Sequence, residues 1–421
     1  FLKKPMAFLH NFSINALSTG LVFSLGLLNQ TLLANMLDNA GYGRLALWTN
    51  AALIAALALG EWIRRGSTYV VGREQAYARA RDNALLYALV LICATTLLAW
   101  AGSTALVGVL GKEILRYWPL WALLTACIVL QRCGQAILLG QDRVRAYALV
   151  PVVFIATYAA ANALQWQAGE LQMVHALCAF AAAAAFAALV AFALLRDGGS
   201  FQWGDRALLG RTWIVGRRGM VSVVLVFLLL KSDLFFIQHF LGDAAVGAYR
   251  VAVNFADMMQ RLPDVAGAVL LAKVVKDQDA GRLSLRVARG ILAFSIVAAL
   301  VLWAIGSWLI GLFFPTYEAA YVPLVWMLPG LVCLGVGSIF NTKLAGMGYP
   351  AVTQWAPGLA FFVNALLNAY LIPREGLRGA ALATSLSYAL WALCVGCVYL
   401  RGESLGWRDV MGLRQMGGGK D

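Results

Sequence analysis

The residues best suited to chemistry form one polar stripe, which comprises Arg250, Asn254, Asp257, Arg261 and Asp264. They follow one another at intervals of four, three, four and three residues. At about 100° per residue, an α-helix would place all of them within about ±40° of one line. Because a charge in mid-membrane costs about 2.5–3.5 kcal/mol, a membrane-spanning stripe should face a water-filled cleft or paired groups. The alternatives are that its members only satisfy one another, or that the end charges reach the interface.

Two further charges, Lys231 and Asp233, lie in the apolar stretch LLLKSDLFFIQHFLG at 228–242. Residues two apart on a helix point about 200° apart, so these two cannot form the usual intrahelical pair. A hairpin turning near residue 244 would place Lys231 level with Asp257, which predicts an ion pair between two helices. Asp233 needs a separate partner, for which Arg132 is a candidate. The alternative is that such pairs only join helices.

Membrane-spanning helices must position these charges. The 421-residue chain is 62% hydrophobic and 13% charged, with a mean hydropathy of +0.76, whereas soluble domains carry about 25% charged residues. A bilayer core of about 30 Å needs roughly 20 mainly apolar residues per helix. This length predicts an all-α polytopic membrane protein with twelve spans: 12–37, 43–63, 83–110, 116–139, 143–165, 170–195, 219–241, 247–272, 287–314, 319–342, 350–371 and 376–400.

The distribution of lysine and arginine predicts the orientation. The termini and every second loop hold 24 of the 33 Lys and Arg residues, and the opposite loops hold five. Cytoplasmic loops carry the excess of positive charge, so both termini are expected in the cytoplasm. The net charge of +13 reflects this bias and an affinity for anionic lipid head groups, and nucleic acid is not an expected partner.

The longest polar break divides the spans into two groups of six. We therefore predict an N-terminal six-helix bundle (1–195), a cytoplasmic linker (196–218), a C-terminal six-helix bundle (219–400) and a cytoplasmic tail (401–421).

The two groups of spans share a weak internal repeat. LDNAGYGRLALWTN at 37–50 aligns with LGDAAVGAYRVAVN at 241–254, and the same offset places Asn29 over Asp233. A nearly equal offset places Asn162 over Asn368. Because each group has an even number of spans, the repeat is parallel. It indicates two six-helix bundles around a central cleft that works by alternating access.

Three stretches carry a family resemblance: KSDLFFIQHFLGDAAVGAYRVA, GYGRLALW, and VNALLNAYLIPREGLRGAALATSLSYAL at 363–390. They are similar to the polysaccharide-transport branch of the multidrug/oligosaccharidyl-lipid/polysaccharide exporter (MOP) superfamily. The third stretch is the most specific, and its matching residues are Asn364, Asn368, Pro373, Gly376, Gly379, Ala380, Ala381, Thr384 and Tyr388.

The resemblance implies an O-antigen-type flippase, which moves undecaprenyl-diphosphate-linked oligosaccharide across the bacterial inner membrane. Its partners would be the glycan polymerase and glycosyltransferases of the same pathway. Many members of the family have fourteen spans, and lipid II flippases typically carry the extra pair. Twelve spans therefore disfavour the lipid II branch.

Lysine or arginine in a low-dielectric cleft would attract the diphosphate that the resemblance implies. The candidate substrate-binding residues are Lys231, Arg250, Asn254, Asp257, Arg261, Arg132, Asn364 and Asn368. Asp233 and Asp257 are ion-coupling candidates, because either could hold a cation or proton whose exchange drives the cycle.

Signatures of enzymes are mostly absent from the sequence. The three histidines lack metal-ligand spacing, and no Walker loop is present. We therefore expect no enzyme, cofactor or metal site. One alternative is a cation-coupled drug exporter of the same superfamily. Another is a membrane-embedded glycan polymerase or ligase, a family that usually has a larger periplasmic loop than this chain offers.

Overall fold

The computed structural model describes residues 3–74, 76–101, 114–169, 171–195, 204–274, 281–347, 351–406 and 409. These residues form thirteen α-helices and one 3-10 helix (Pro315–Ala320). The α-helices, numbered α1 to α13, are Lys3–Met36, Asn39–Glu74, Tyr77–Ala101, Ile114–Gly140, Val144–Gln167, Met173–Ala193, Arg206–Lys231, Asp233–Leu241, Asp243–Val274, Gly281–Phe313, Tyr321–Gly346, Val352–Glu375 and Leu377–Gly402.

The chain divides into two compact units, unit 1 (Phe1–Val224) and unit 2 (Leu225–Asp421), and the boundary falls inside α7. In unit 1, α2 packs on α4, α1 packs on α5, and α4 also contacts α3 and α6. In unit 2, α11 is central, because it packs against α9, α10 and α13. The helix α12 packs on α13.

Within the described residues, ten candidate spans are long and apolar enough to cross a membrane, and each corresponds to one of the twelve predicted spans. The predicted eighth span lies in α9, whose charged stripe interrupts its apolar sequence. The predicted third span, 83–110, lies in α3 as far as Ala101, and 102–110 fall outside the described residues. The chain is a multi-pass, all-α membrane protein.

The predicted seventh span, 219–241, is one candidate span of the structure, but its helix is not regular throughout. The structure divides it at Ser232, with α7 ending at Lys231 and α8 beginning at Asp233. Around this position the Phe235 N–H donates to the Ser232 carbonyl at 3.0 Å, a bond that spans three residues instead of four. The two charges therefore lie on either side of a break in the regular hydrogen-bond pattern, while Ser232 itself keeps helical dihedral angles (φ −70°, ψ −22°).

The helix α7 begins inside the predicted linker 196–218 and packs on α2. An Oδ1 atom of Asp205 accepts the Leu208 N–H at 2.9 Å, which satisfies a free donor at the start of the helix. This hydrogen bond, with a contribution from Arg79, holds the pKa of the Asp205 carboxyl below its usual range. Gly216 lies against the Trp62 carbonyl so closely that a Cβ atom there would overlap it.

The parallel repeat is visible in the packing of each unit. In unit 1, the Nδ2 of Asn162 on α5 donates to the Oδ1 of Asn29 on α1 at 2.9 Å. In unit 2, the Nδ2 of Asn368 on α12 donates to the Oδ1 of Asp233 on α8 at 2.8 Å. The residues that the sequence alignment placed over one another thus make the same cross-helix contact in both units.

Candidate functional site

The charged part of the candidate site is an ion cluster on α7 and α9 of unit 2. The Nζ of Lys231 lies 3.2 Å from both carboxylate oxygens of Asp257, so the predicted ion pair is confirmed. An NH1 atom of Arg250 lies 3.8 Å from the same carboxylate. The side chains of Lys231 and Arg250 are 13% and 15% exposed, and that of Asp257 is 39% exposed. Two cations thus share one accessible carboxylate, which leaves one positive charge in excess.

A cavity of about 490 Å³ lies beside this cluster within unit 2. The ionisable residues of its lining are Lys231, Asp233, Asp257, Arg261 and Asp264. The second half of the polar stripe on α9, from Asp257 to Asp264, therefore lines the cavity. Arg250 reaches it through Asp257, and Asn254 is buried at 7% exposure outside the lining.

The helix α11 lines the same cavity with uncharged polar groups. Ser338, Asn341 and Thr342 follow helical spacing and line the cavity, together with Gln260 of α9. The Nε2 of Gln260 donates to the Leu331 carbonyl at 2.9 Å, which fixes its position between the two helices. Hydroxyl and amide groups on this wall are suited to hydrogen bonding with a polar ligand.

Asp233 lies at the wall of the same cavity together with Thr384, and it is only 2% exposed. Its Oδ2 accepts hydrogen bonds from the hydroxyls of Thr384 at 2.6 Å and Tyr249 at 3.1 Å. Its Oδ1 accepts one from Asn368. In the described part of the chain all of its donors are therefore neutral side chains.

The expected pairing of Asp233 with Arg132 is wrong. Arg132 belongs to α4 of unit 1, and its NH2 group donates to Glu61 of α2 at 3.0 Å. The buried Glu61 takes this cation because a charge so deep in a membrane segment requires a partner of opposite sign.

The Asp233 network is rich in oxygen atoms. Asn364 and Asn368 are fully buried, and Asn368 donates from its Nδ2 to the Oδ1 of Asn364 at 2.9 Å. The Oδ1 of Asn368 has no hydrogen-bond partner among the residues that the structure describes. Carboxylate, amide and hydroxyl oxygens are ligands for hard cations, and a single carboxylate suits a monovalent ion or a proton. Among the described residues, no cluster of three His, Cys, Asp or Glu side chains exists that would suit a transition metal.

Most of the predicted site residues meet in unit 2, while Arg132 lies in unit 1. Sequence reasoning missed Tyr249 and Thr384 as donors to Asp233, although Thr384 belongs to the most specific family-like stretch. It also missed the polar wall of α11, whose Ser338, Asn341 and Thr342 have spacings of three and four that could have revealed it.

The fold is similar to those of solved membrane transporters. A lipid II flippase MurJ in an inward closed conformation gives a TM-score of 0.76 at 15% identity, over 94% of this chain and 89% of that one. An inward-facing multidrug resistance MATE family transporter of the MOP superfamily gives 0.73 at 14%, over 94% and 96%. The Vibrio cholerae MATE transporter VcmN, as a mutant, gives 0.61 at 16%, over 94% and 95%.

No protein-family model and no curated protein matches the chain. At these identities the structural likeness concerns the fold. The chain has the fold of MOP-superfamily transporters, as the family-like stretches had led us to expect, and the neighbours are flippases and transporters rather than enzymes.

Proposed function

We propose that this protein is a flippase for undecaprenyl-diphosphate-linked oligosaccharide. It would move repeat units from the cytoplasmic to the periplasmic leaflet of the bacterial inner membrane by alternating access, for O-antigen, capsule or exopolysaccharide assembly. The observation that carries the proposal is the excess positive charge of the cluster formed by Lys231, Arg250 and Asp257 at the edge of a cavity whose lining combines apolar and polar side chains.

The ion cluster suits a diphosphate because its salt bridge is exchangeable. Asp257 is 39% exposed and shares two cations, so a phosphate oxygen can replace it at Lys231 and keep that buried cation paired. Arg261 at the cavity lining adds a further cation for the second phosphate. The hydroxyl and amide groups of α11 and Gln260 then face the part of the cavity where a sugar would lie.

Asp233 supplies the coupling ion site of this proposal. A buried carboxylate without a cationic partner must either bind a proton or hold a cation. Because Asp233 and Lys231 flank the break at Ser232, a change in the charge of the Asp233 network would act on the helix end that carries Lys231. On this proposal, the cation binds at Asp233 in one half of the transport cycle and the anionic substrate binds at Lys231 in the other half.

The test is flipping by the full chain in proteoliposomes that contain a fluorescent undecaprenyl-diphosphate oligosaccharide. Lys231→Gln and Arg250→Gln should each lower the flipping rate by about tenfold or more, since each removes a charged hydrogen-bond donor. Arg374→Gln is the control, because Arg374 is an exposed residue that stacks on Tyr370 and lies outside the cavity. Normal flipping by both cavity variants would refute the proposal.

The second candidate function is cation-coupled export of drugs, favoured by the MATE transporter neighbours. It requires the same Asp233 site, but not the excess of positive charge at Lys231. Drug efflux from cells expressing the chain, with no flipping of the lipid-linked oligosaccharide, would establish this alternative.

A further inference from the structure

Two helices of unit 1 bring three arginines onto one carboxylate. Glu61 of α2 is fully buried. Arg64 donates to it through Nε at 2.8 Å and also through NH2, and Arg65 donates through Nε at 2.8 Å. Arg132 of α4 donates through NH2 at 3.0 Å. Positive charge therefore exceeds negative charge within this cluster.

The cluster lies inside two apolar spans, in the half of each span that we expect to be nearer the cytoplasm. Arg132 is eight residues before the end of the span Tyr117–Gly140, and Glu61 is ten residues before the end of Asn39–Val71. At a rise of 1.5 Å per residue, Arg132 and Glu61 lie roughly 12 and 15 Å along the helix axis from the ends of these spans, on the side that we expect to face the cytoplasm. A hydroxyl of Thr68 donates to the Ala136 carbonyl at 3.3 Å and holds the two helices in this register.

An uncompensated charge inside a membrane span is costly, and ionisable groups in such positions commonly bind a ligand. Basic pockets between membrane helices on the cytoplasmic side bind anionic lipid head groups. The side chains of Arg64 and Arg132 are 26% and 32% exposed, although Glu61 is not exposed at all. The carboxylate is thus covered, while parts of the guanidinium groups remain accessible.

The donors that remain suit a phosphate group. Among the described residues Arg132 bonds Glu61 through NH2 alone, so within this part of the chain its Nε and NH1 groups are available for a second acceptor. Guanidinium groups bind phosphate through paired hydrogen bonds, which are about twice as strong as neutral ones. We propose that Arg64 and Arg132 bind the phosphate group of an anionic lipid within the cytoplasmic leaflet, with Glu61 as the competing internal anion.

This site does not depend on the proposed function, because bilayer phospholipids and lipid diphosphates share the same phosphate chemistry. Its residues are not among those that line the cavity of unit 2. A purely structural role for the cluster makes a different prediction for Glu61. If the Glu61 carboxylate only holds the arginines in place, its removal weakens the fold. If Glu61 instead competes with phosphate for the arginines, its removal lets them bind phosphate more tightly.

The experiment measures lipid binding to the purified full chain by native mass spectrometry, with phosphatidylglycerol, undecaprenyl diphosphate and inorganic pyrophosphate as separate probes. Arg132→Gln should weaken binding of the preferred probe by about tenfold. Arg211→Gln is the matched control, because Arg211 pairs with Glu74 at 2.9 Å outside the cluster and should leave binding unchanged.

Glu61→Gln should strengthen binding by at least about threefold, which a structural role does not predict. The probe that binds most tightly identifies the source of the phosphate as a phospholipid, a lipid diphosphate or a free anion. Binding by Arg132→Gln within twofold of the wild type overturns the proposal. If that variant does not fold, unchanged or weaker binding by Glu61→Gln overturns it, as does absence of binding of all three probes to the wild type.

Discussion

Exchanging the charges of Lys231 and Asp257 probes the ion pair at the edge of the cavity. Lys231→Asp would set two carboxylates against each other, and Asp257→Lys would bring a third cation next to Lys231 and Arg250. At an effective dielectric constant of 20, charges 4 Å apart interact by about 4 kcal/mol. Because Asp257 is 39% exposed, we discount this figure and expect each single variant to lose about 2–3 kcal/mol of stability.

The double exchange should recover about 1–2 kcal/mol of that loss, because it restores one pair of opposite charges. Recovery stays incomplete, since Arg250 would then face the introduced lysine instead of a carboxylate 3.8 Å away. The assay is thermal unfolding of the purified chain in detergent, followed by tryptophan fluorescence, with flipping as a second measurement.

A matched control exchanges Glu375 and Arg378, an ion pair at 3.4 Å whose side chains are 42% and 46% exposed. Either single variant there should change stability by less than about 1 kcal/mol, since the pair is exposed and Arg378 also loses its contact with the Trp326 ring at 4.3 Å. If the double exchange at Lys231 and Asp257 is no more stable than the worse of its singles, the pair does not interact as the structure describes.

Three other perturbations have defined outcomes. Sodium should raise the unfolding temperature of the wild type relative to choline. The stabilisation should be about 2.7 kcal/mol when the sodium concentration is a hundred times the dissociation constant. An equal rise in Asp233→Asn would contradict the ion site. Gly216→Ala should lower the free energy of unfolding by about 1–3 kcal/mol, because its Cβ atom would overlap the Trp62 carbonyl. Gly210 has open space around it, so Gly210→Ala should be neutral or slightly stabilising in the same unfolding assay. Because the folded pKa of Asp205 is depressed, its contribution is present above the unfolded value near 3.9 and is lost as the pH falls through the folded value. The difference in unfolding temperature between wild type and Asp205→Ala should therefore shrink below about pH 4, and a constant difference would argue against this linkage.

The Lys231–Asp257 pair could be predicted because it depends on local rules. Helical spacing, the position of the hairpin turn and the cost of an unpaired charge were enough to place one residue beside the other. The repeat likewise placed Asn29 and Asp233 in equivalent positions, since it needs only the order of residues along the chain.

The partners of Asp233 and Arg132 could not be predicted, because they come from distant parts of the chain. Thr384 is 151 residues from Asp233, and Glu61 is 71 residues from Arg132. The break at Ser232 has no local signal either, because the stretch LLLKSDLFF contains no proline or glycine. Tertiary packing decides these features, and periodicity contains no information about it.

The cross-helix contact that both units share has a consequence for stoichiometry. In unit 1 the contact joins two amides, Asn29 and Asn162, and in unit 2 it joins Asp233 to an amide. Two halves built on one plan therefore differ by a single ionisable group at the equivalent position. On the proposed mechanism the chain would carry one coupling ion per cycle, and Asn29→Asp would be the shortest route to a transporter that carries two.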